Sequence, residues 1–505
     1  MKTLKTLIKS VLVPLLILGC TDNLDQRSLS ETEADFYTKR DDFDKTILNA
    51  YAKLTDFYWY AGGSFRQEMF HLSGDDITMD QDRFSAHELF TTEINANDGD
   101  IAYYWDRAYE VISKANVAIE KSSEADRDSF DEPEFLDWIQ GEGLFLRGYI
   151  HWKLYNKFGS APVIAERITT FEQANTPKSE GVELLDQAVS DFQEAITLLP
   201  DSWDANLAGR VTKNSARGML IKALVFRGDY GGNTSDYQEA ANILGSMSGA
   251  ALTTDYTDNF NANTENNEES LFEFQASSAG FDNVWLYNDG PWGGVESMHA
   301  FWGIYTTEAN GASNNNGGST WRITSKLMAS HGTDPRIAYF TEADRSFTKY
   351  GMTGLDWLNG SGVGSRNNPR LLRYADVILL AAEATIKSGG SAATAIGLVN
   401  QVRTRARNWD GGTEPADYST SETDTNTILG WIYDERLVEL AGEEDIRWFD
   451  LKRMHATGFI NLASFDFSTD LSGDVNFDVS RNLVWPIPQV EIDRNSAIVA
   501  NNPGF

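Results

Sequence analysis

Two groups of residues in this chain could do chemistry on a ligand: paired carboxylates, and a run of rings set among turn formers. The carboxylates come as Asp75 with Asp76, Glu435 with Glu439, and Glu443 with Glu444. Cleaving a glycosidic bond needs two carboxyl groups about 5–9.5 Å apart across a cleft. With 75 acidic residues in the chain, such pairs also arise by chance. Glu435, Arg436, Glu439, Arg447 and Asp450 read as an ion-pair network tying helices together. Asp75 and Asp76 differ, because they sit in a loop beside aromatics, where they are candidates to accept hydrogen bonds from sugar hydroxyls. Turn formation or capping is their structural alternative. No residue is assigned a catalytic role.

The rings are Trp285, Tyr287, Trp292, Trp302, Tyr305 and Trp321, separated by Gly290-Pro291, Gly293-Gly294 and Asn314-Asn315-Asn316-Gly317-Gly318. Rings of a helical core recur every three or four residues. These are spaced by turn formers, and such loops run over the surface. A sugar offers an apolar CH face and a rim of hydroxyls, so flat indoles suit the face and Asp, Asn or Arg suit the rim. Trp285, Trp292, Trp302 and Trp321 are the leading platforms, with Tyr287 and Tyr305 behind them. Arg322, Asn314 and Asn315 are polar candidates. Trp105, Trp152, Trp431 and Trp448 fall in helical patterns and read as core; Trp59 and Trp357 are left open. Metal chemistry has weak support: six His, no His-Glu-x-x-His and one cysteine. Loop aspartates around Asp98 and Asp100 could hold calcium, against the alternative of an exposed acidic loop. No phosphate-cradling glycine loop or nucleophile elbow occurs. No cofactor is expected.

The elements that must hold these residues are mainly helices. Asp137 to Phe158 reads as one central helix, with Phe145, Trp152, Tyr155 and Phe158 on a shared face. Gly159 suits its C-terminal cap, and Pro162 bars its resumption. Glu142 and Arg147 on this helix read as a structural ion pair. Asp41 to Leu54 forms a helix on Phe43, Ile47, Tyr51 and Leu54. Trp105, Tyr109, Ile112, Asn116 and Ile119 mark another. Val182 to Leu199 is amphipathic and closed by Pro200. Arg210 to Phe226 and Tyr237 to Leu244 form a helix–turn–helix with small residues at Ala216, Ala223 and Ala240, a tetratricopeptide-like pattern. From about Ala251 to Asn368 helical period fades, and Ser270 to Ala276 alternates as a strand. Helices return at Leu371.

The chain has 505 residues, 41% of them hydrophobic and 12% aromatic, with a formal charge of −33. That surface repels nucleic acid and acidic polymers, which excludes general nucleic-acid binding and favours neutral or cationic ligands. Lys2, Lys5 and Lys9 precede a short apolar run, Val11 to Leu18, too short to span a bilayer. It ends in Gly19-Cys20, which resembles a bacterial lipoprotein cleavage site. Cys20 is the only cysteine, so it is the expected lipid attachment point and no disulfide can form within the chain. Asp22 and Asp25 resemble the acidic signal that sends lipoproteins to the outer surface.

Several segments together resemble the SusD/RagB family of surface glycan-binding lipoproteins of Bacteroidota. They are Glu142 to Tyr149 with Tyr155 to Val163; Trp105-x3-Tyr109-x2-Ile112-x3-Asn116; Arg373 to Ala384; Ile396 to Ala406; Ile432 to Arg453; and Leu483 to Ile492 with Asn501 to Phe505. The family more often has Ala at Gly143 and Gly148. The resemblance implies a mainly α, tetratricopeptide-like helical scaffold (SusD-like) with a loop-rich region containing a few short strands. Its expected divisions are a signal peptide over 1–19, a lipidated tether over 20–30 and a SusD-like domain over 31–505. Within that domain the scaffold covers about 31–250 and 369–460, the ligand region 251–368, and the C-terminal segment 461–505. The resemblance further implies non-catalytic capture of oligosaccharide or polysaccharide at the outer membrane, and a TonB-dependent SusC-like transporter as partner. A neutral glycan fits the charge. The alternatives are a surface glycoside hydrolase and capture of peptides.

Overall fold

The computed structural model describes residues 33–58, 73–79, 94–276, 321–340, 345, 347, 349, 355–358, 362–365, 367–465 and 477–505. Its first half is a row of helices in which each packs on the next. They are α1 (Arg40–Tyr58), α2 (Gly99–Glu124), α3 (Glu134–Phe158), α4 (Glu183–Leu198), α5 (Lys213–Gly231) and α6 (Thr234–Ile243). Two short helices, α7 (Ser325–His331) and α8 (Pro335–Phe340), precede the second group, α9 (Tyr374–Lys387), α10 (Ala392–Asp410), α11 (Thr425–Glu439) and α12 (Ile446–Ala456). α6 packs on α9, and α9 on α10 and α11. Contacts that run mainly between sequence neighbours are what repeated helix pairs produce. The fold is mainly α, as the sequence implies, and no described helix is long and apolar enough to cross a membrane.

α3 is the centre. It is buried around its whole circumference from Gly141 to Leu154, so it shows no single apolar stripe. Close approach of its neighbours requires the glycines. A Cβ at Gly143 would lie 2.9 Å from Ile119 Cγ1 and 3.1 Å from the Ala115 carbonyl on α2. One at Gly148 would lie 3.0 Å from Asp191 Cβ on α4. Gly159 closes the helix at φ +69°, as expected, its N–H donating to the Tyr155 carbonyl at 2.7 Å. The last carbonyls of α3 are taken by the chain's far end. Trp485 N–H donates to Lys157 O at 2.7 Å, and Asn502 Nδ2 donates to Phe158 O at 2.7 Å.

Glu142 and Arg147 do not pair with each other. Five residues apart on a helix they point in different directions. Arg147 forms a two-point bond with Asp191 on α4, at 2.6 and 3.0 Å. Glu142 binds Arg210 and the Tyr51 hydroxyl. Both remain structural.

The apolar interior falls into two clusters. The larger gathers α1 to α6 with Trp448, Phe449, Trp485 and Ile487; the smaller gathers α10 and α11. α9 serves both, giving Val377, Leu380 and Ala384 to one and Ile378, Leu379, Ala382 and Ile386 to the other. Trp105, Trp152 and Trp448 are buried, and Ala216, Ala223 and Ala240 are fully so. Trp431 is half-buried and packs on the smaller cluster from its edge. The described strands form three antiparallel pairs: β1 (Ile77–Met79) with β3 (Trp321–Ile323), β2 (Ser270–Glu273) with β6 (Arg370–Arg373), and β4 (Leu355–Leu358) with β5 (Gly362–Ser365).

Candidate functional site

The sequence candidates divide sharply in space. Trp285, Tyr287, Trp292, Trp302, Tyr305, Asn314, Asn315 and the expected lipid-bearing Cys20 lie outside the described residues, as does Trp59. Trp357 lies in β4. Trp321 and Arg322 open β3, the strand that follows directly on the ring-rich segment. Met79 pairs with Trp321, Thr78 with Arg322 and Ile77 with Ile323. Because the pair is antiparallel, the chain leaves β1 into residues 80–93 at the same end at which it enters β3 from residue 320. The ribbon thus ties the attachment points of both segments together. Thr78 is buried and Arg322 half-buried.

Asp75 and Asp76 anchor the other end of that ribbon, and here the structure corrects the sequence reading. Neither is an open acceptor for sugar hydroxyls, for both are buried. Asp75 is gripped by Arg447 from α12 and Lys326 from α7. Burial alone would raise its carboxyl, but these two cations outweigh burial and hold it below the ordinary value. Its backbone carbonyl accepts from Thr324 Oγ1 at 2.7 Å, and that of Asp76 from Thr324 N–H at 2.8 Å. Asp76 Oδ2 accepts from Gly442 N–H at 2.8 Å. Burial pushes the Asp76 carboxyl up to about 6, a push that the Gly442 bond opposes and the Asp75 charge reinforces. The pair is a structural foot that pins the ribbon to the turn between α11 and α12.

The remaining carboxylate pairs are likewise committed. Glu435 accepts from Arg336 at 2.7 Å and Arg403 at 2.8 Å. Glu439 binds Arg336 and Arg373, each at 2.6 Å, and Arg405. Glu443 binds Lys349 and Arg373, each at 2.8 Å. Glu444 binds Lys153 of α3. Arg436 joins Asp376 to Asp450, at 2.6 and 2.8 Å. The network read from Glu435 to Asp450 exists and is buried. Its partners Arg336, Lys349, Arg373, Arg405, Glu269 and Lys153 went unrecognised in the sequence. Lys153 and Lys157, one turn apart in the ring-rich second half of α3, are the available signal; both reach Asp445. Burial lowers Lys349 to about 8, and lowers Lys452 to about 7 with the Lys157 charge adding.

Asp98 is the N-cap of α2 rather than a calcium ligand. Its Oδ1 accepts from Asp100 N–H at 2.8 Å and Ile101 N–H at 3.1 Å, which satisfies two donors that every helix start leaves open. Among the described residues no group of three or more His, Cys, Asp and Glu is arranged to hold a metal ion.

The architecture has close parallels. Residues 229–505 match the profile described as the SusD family, and residues 23–224 match one described as starch-binding associating with outer membrane. A SusD-like protein of Formosa agariphila is 25% identical, with 99% of each chain covered. The fold resembles a SusD homolog from Bacteroides thetaiotaomicron with a TM-score of 0.74 at 19% identity, covering 94% of this chain and 99% of that one. It also resembles a protein described as a laminarin binding SusD-like protein, with a TM-score of 0.71 at 22% identity, covering 93% and 100%. With one of these profiles spanning more than half of its length, the chain belongs to the SusD family.

Proposed function

We propose that this protein binds oligosaccharide or polysaccharide at the cell surface without cleaving it, and passes it to a TonB-dependent SusC-like transporter over which it acts as a lid. The observation that carries the reading is the family match, in which two SusD profiles together account for nearly all of residues 23–505. The acid surface favours a neutral glycan. Among neutral glycans a β-glucan is the first to try, since one fold neighbour is described as laminarin-binding. The proposed binding face is built largely from residues 251–368, with residues 58–90 nearby; the β1–β3 ribbon ties these two stretches together. On it Trp285, Trp292, Trp302 and Trp321 serve as platforms, and Tyr287, Tyr305, Arg322, Asn314 and Asn315 support them. Acylation of Cys20 holds the protein to the outer membrane.

A hydrolase reading finds little support. Glu435, Glu439, Glu443 and Glu444 are each neutralised by buried cations, and Asp75 and Asp76 are enclosed at the ribbon's foot. None of these pairs faces a cleft with a free acid and a free base.

The test is affinity electrophoresis of residues 21–505 in gels containing neutral or anionic polysaccharides, beside a variant with Trp285, Trp292, Trp302 and Trp321 changed to Ala. Retardation by a neutral glycan, lost in the variant while helicity is retained, is expected. Retardation by anionic polymers only, or none at all, would refute the reading.

A further inference from the structure

Of the four tryptophans read as core, Trp431 alone keeps part of its surface in solvent, while the rest of it packs on the smaller cluster. On α11, beyond the exposed Thr425 and Asn426 at its start, the residues open to solvent are Thr427, Gly430, Trp431 and Asp434, spaced so that they share one face. Trp431 is half-buried and Asp434 exposed. Gly430 leaves open space beside Trp431 in the chain, for a Cβ built there would meet nothing within 4 Å. One face of Trp431 lies flat on Tyr418, with ring centroids 4.4 Å apart and planes 3° from parallel. The Arg403 guanidinium lies 4.1 Å from the Tyr418 centroid and must therefore occupy that ring's opposite face. Trp431 is thus the end member of a three-layer stack, packed in part on the smaller apolar cluster and in part open to solvent. Among the described residues no further ring or cation lies on it.

The stack is rigidly held. Asn400 bonds the Tyr418 backbone twice, donating to its carbonyl at 2.9 Å and accepting from its N–H at 2.8 Å. Arg403 donates to Ala416 O at 2.7 Å and to Glu435 at 2.8 Å. Such an indole pays little ordering cost on meeting a ligand. Its helix also supports the ribbon, since α7, which follows β3, packs on α11.

We propose that Trp431, backed by Tyr418 and bordered by Gly430 and Asp434, is an additional saccharide-contact point on the helical scaffold. It takes one sugar ring of a neutral polymer by its CH face, with Asp434 accepting a hydrogen bond from a rim hydroxyl. This deepens the glycan-binding reading above and rests on it. Arg403 and Asn400 act through Tyr418 and are positioning residues.

Two variants test it in the full soluble chain, Trp431→Ala and Gly430→Gln. The second occupies the open space at Gly430 without removing any contact, and replacing a helical glycine improves helix propensity, so its melting temperature should match or exceed that of the wild type. The probes are gels containing laminarin, soluble starch or levan. Both variants are expected to weaken retardation by the retaining polymer about ten-fold in apparent Kd. A short oligosaccharide of two or three units, which a single site accommodates, should bind the variants and the wild type alike. Wild-type retardation that both variants reproduce would overturn the contact point and leave the glycan reading intact. No retardation of the wild type by any neutral polymer would overturn both. Loss of oligolysine binding in the variants, with glycan retardation unchanged, would reassign the surface to basic peptides and overturn the proposal.

Discussion

Replacing Glu439 by Gln should be among the most damaging isosteric changes in this protein. The side chain is fully buried and touches Arg336, Arg373 and Arg405. The surrounding network sets Arg336, Arg373, Arg403, Arg405 and Lys349 against Glu269, Asp334, Glu435, Glu439 and Glu443. These charges balance, so neutralising one carboxylate leaves a buried excess of one positive charge. Breaking a buried pair in this way costs about 3–5 kcal/mol. Unfolding entropy of about 2.1 cal/mol/K per residue gives roughly 1 kcal/mol/K for the whole chain. If the scaffold melts as a unit, the Glu439→Gln variant should melt about 3–5 °C lower in calorimetry. pH supplies a second reading. Burial alone would raise the Glu439 carboxyl, but Arg405, Arg373 and Arg336 outweigh it and hold it far below its ordinary value of 4.5. With a depressed folded value, its stabilisation is complete above the unfolded value and fades as pH falls below it. The wild type should therefore lose stability on acidification below about pH 4.5 more steeply than the variant. A melting shift under 1 °C, or parallel acid profiles, would refute the charge-balance reasoning.

Three further outcomes follow from the packing of the scaffold. Asp76 has a raised carboxyl, so the folded state holds its proton more tightly and this group's contribution weakens stability as pH rises from about 4 to 6. Asp76→Asn should gain on the wild type by about 2–3 kcal/mol across that window in urea titrations, and an unchanged difference between pH 4 and pH 7 would contradict it. Gly143→Ala should destabilise by about 1–2 kcal/mol despite better helix propensity, because its methyl would press on Ile119 and the Ala115 carbonyl; a rise in melting temperature would show that α2 yields easily. Asp191→Ala should cost about 3 kcal/mol by leaving Arg147 buried without its carboxylate, measured by chemical denaturation, and a loss below 1 kcal/mol would mean that Asn116 and the Ala165 carbonyl suffice.

The helices were legible because they rest on local periodicity. Phe43, Ile47 and Leu54, or Leu185, Val189 and Phe192, each mark a buried face without knowledge of the partner. α3 was legible from its rings and its Gly159 stop, but its glycines were not, since helix propensity says nothing of how near α2 and α4 come. The burial of Asp75 and Asp76 is hidden for a related reason. Their local sequence is that of a polar turn, and the Arg447 that buries Asp75 lies 372 residues away. Closeness in sequence suggests pairing Glu142 with Arg147, whereas their partners, Arg210 and Asp191, come from the turn before α5 and from α4. Trp431 carries a helical spacing indistinguishable from that of a core residue. Its half-exposure depends on Tyr418 arriving from the loop after α10.

The far-end capping of α3 sets a temporal order on the molecule. The helix is synthesised in the first third of the chain, yet the donor to its Phe158 carbonyl is Asn502, 344 residues later. Its Lys153 waits for Glu444, 291 residues later. A chain emerging amino end first therefore carries its most aromatic helix, with two lysines and open carbonyls, unfinished until Asn502 has arrived. Closing so long a loop adds only slowly to the entropic cost, but it delays completion. The short tail from Trp485 to Phe505 thus acts as a completion mark: a chain cut just before it would retain most of its local helical signals and lack the pieces that close its centre.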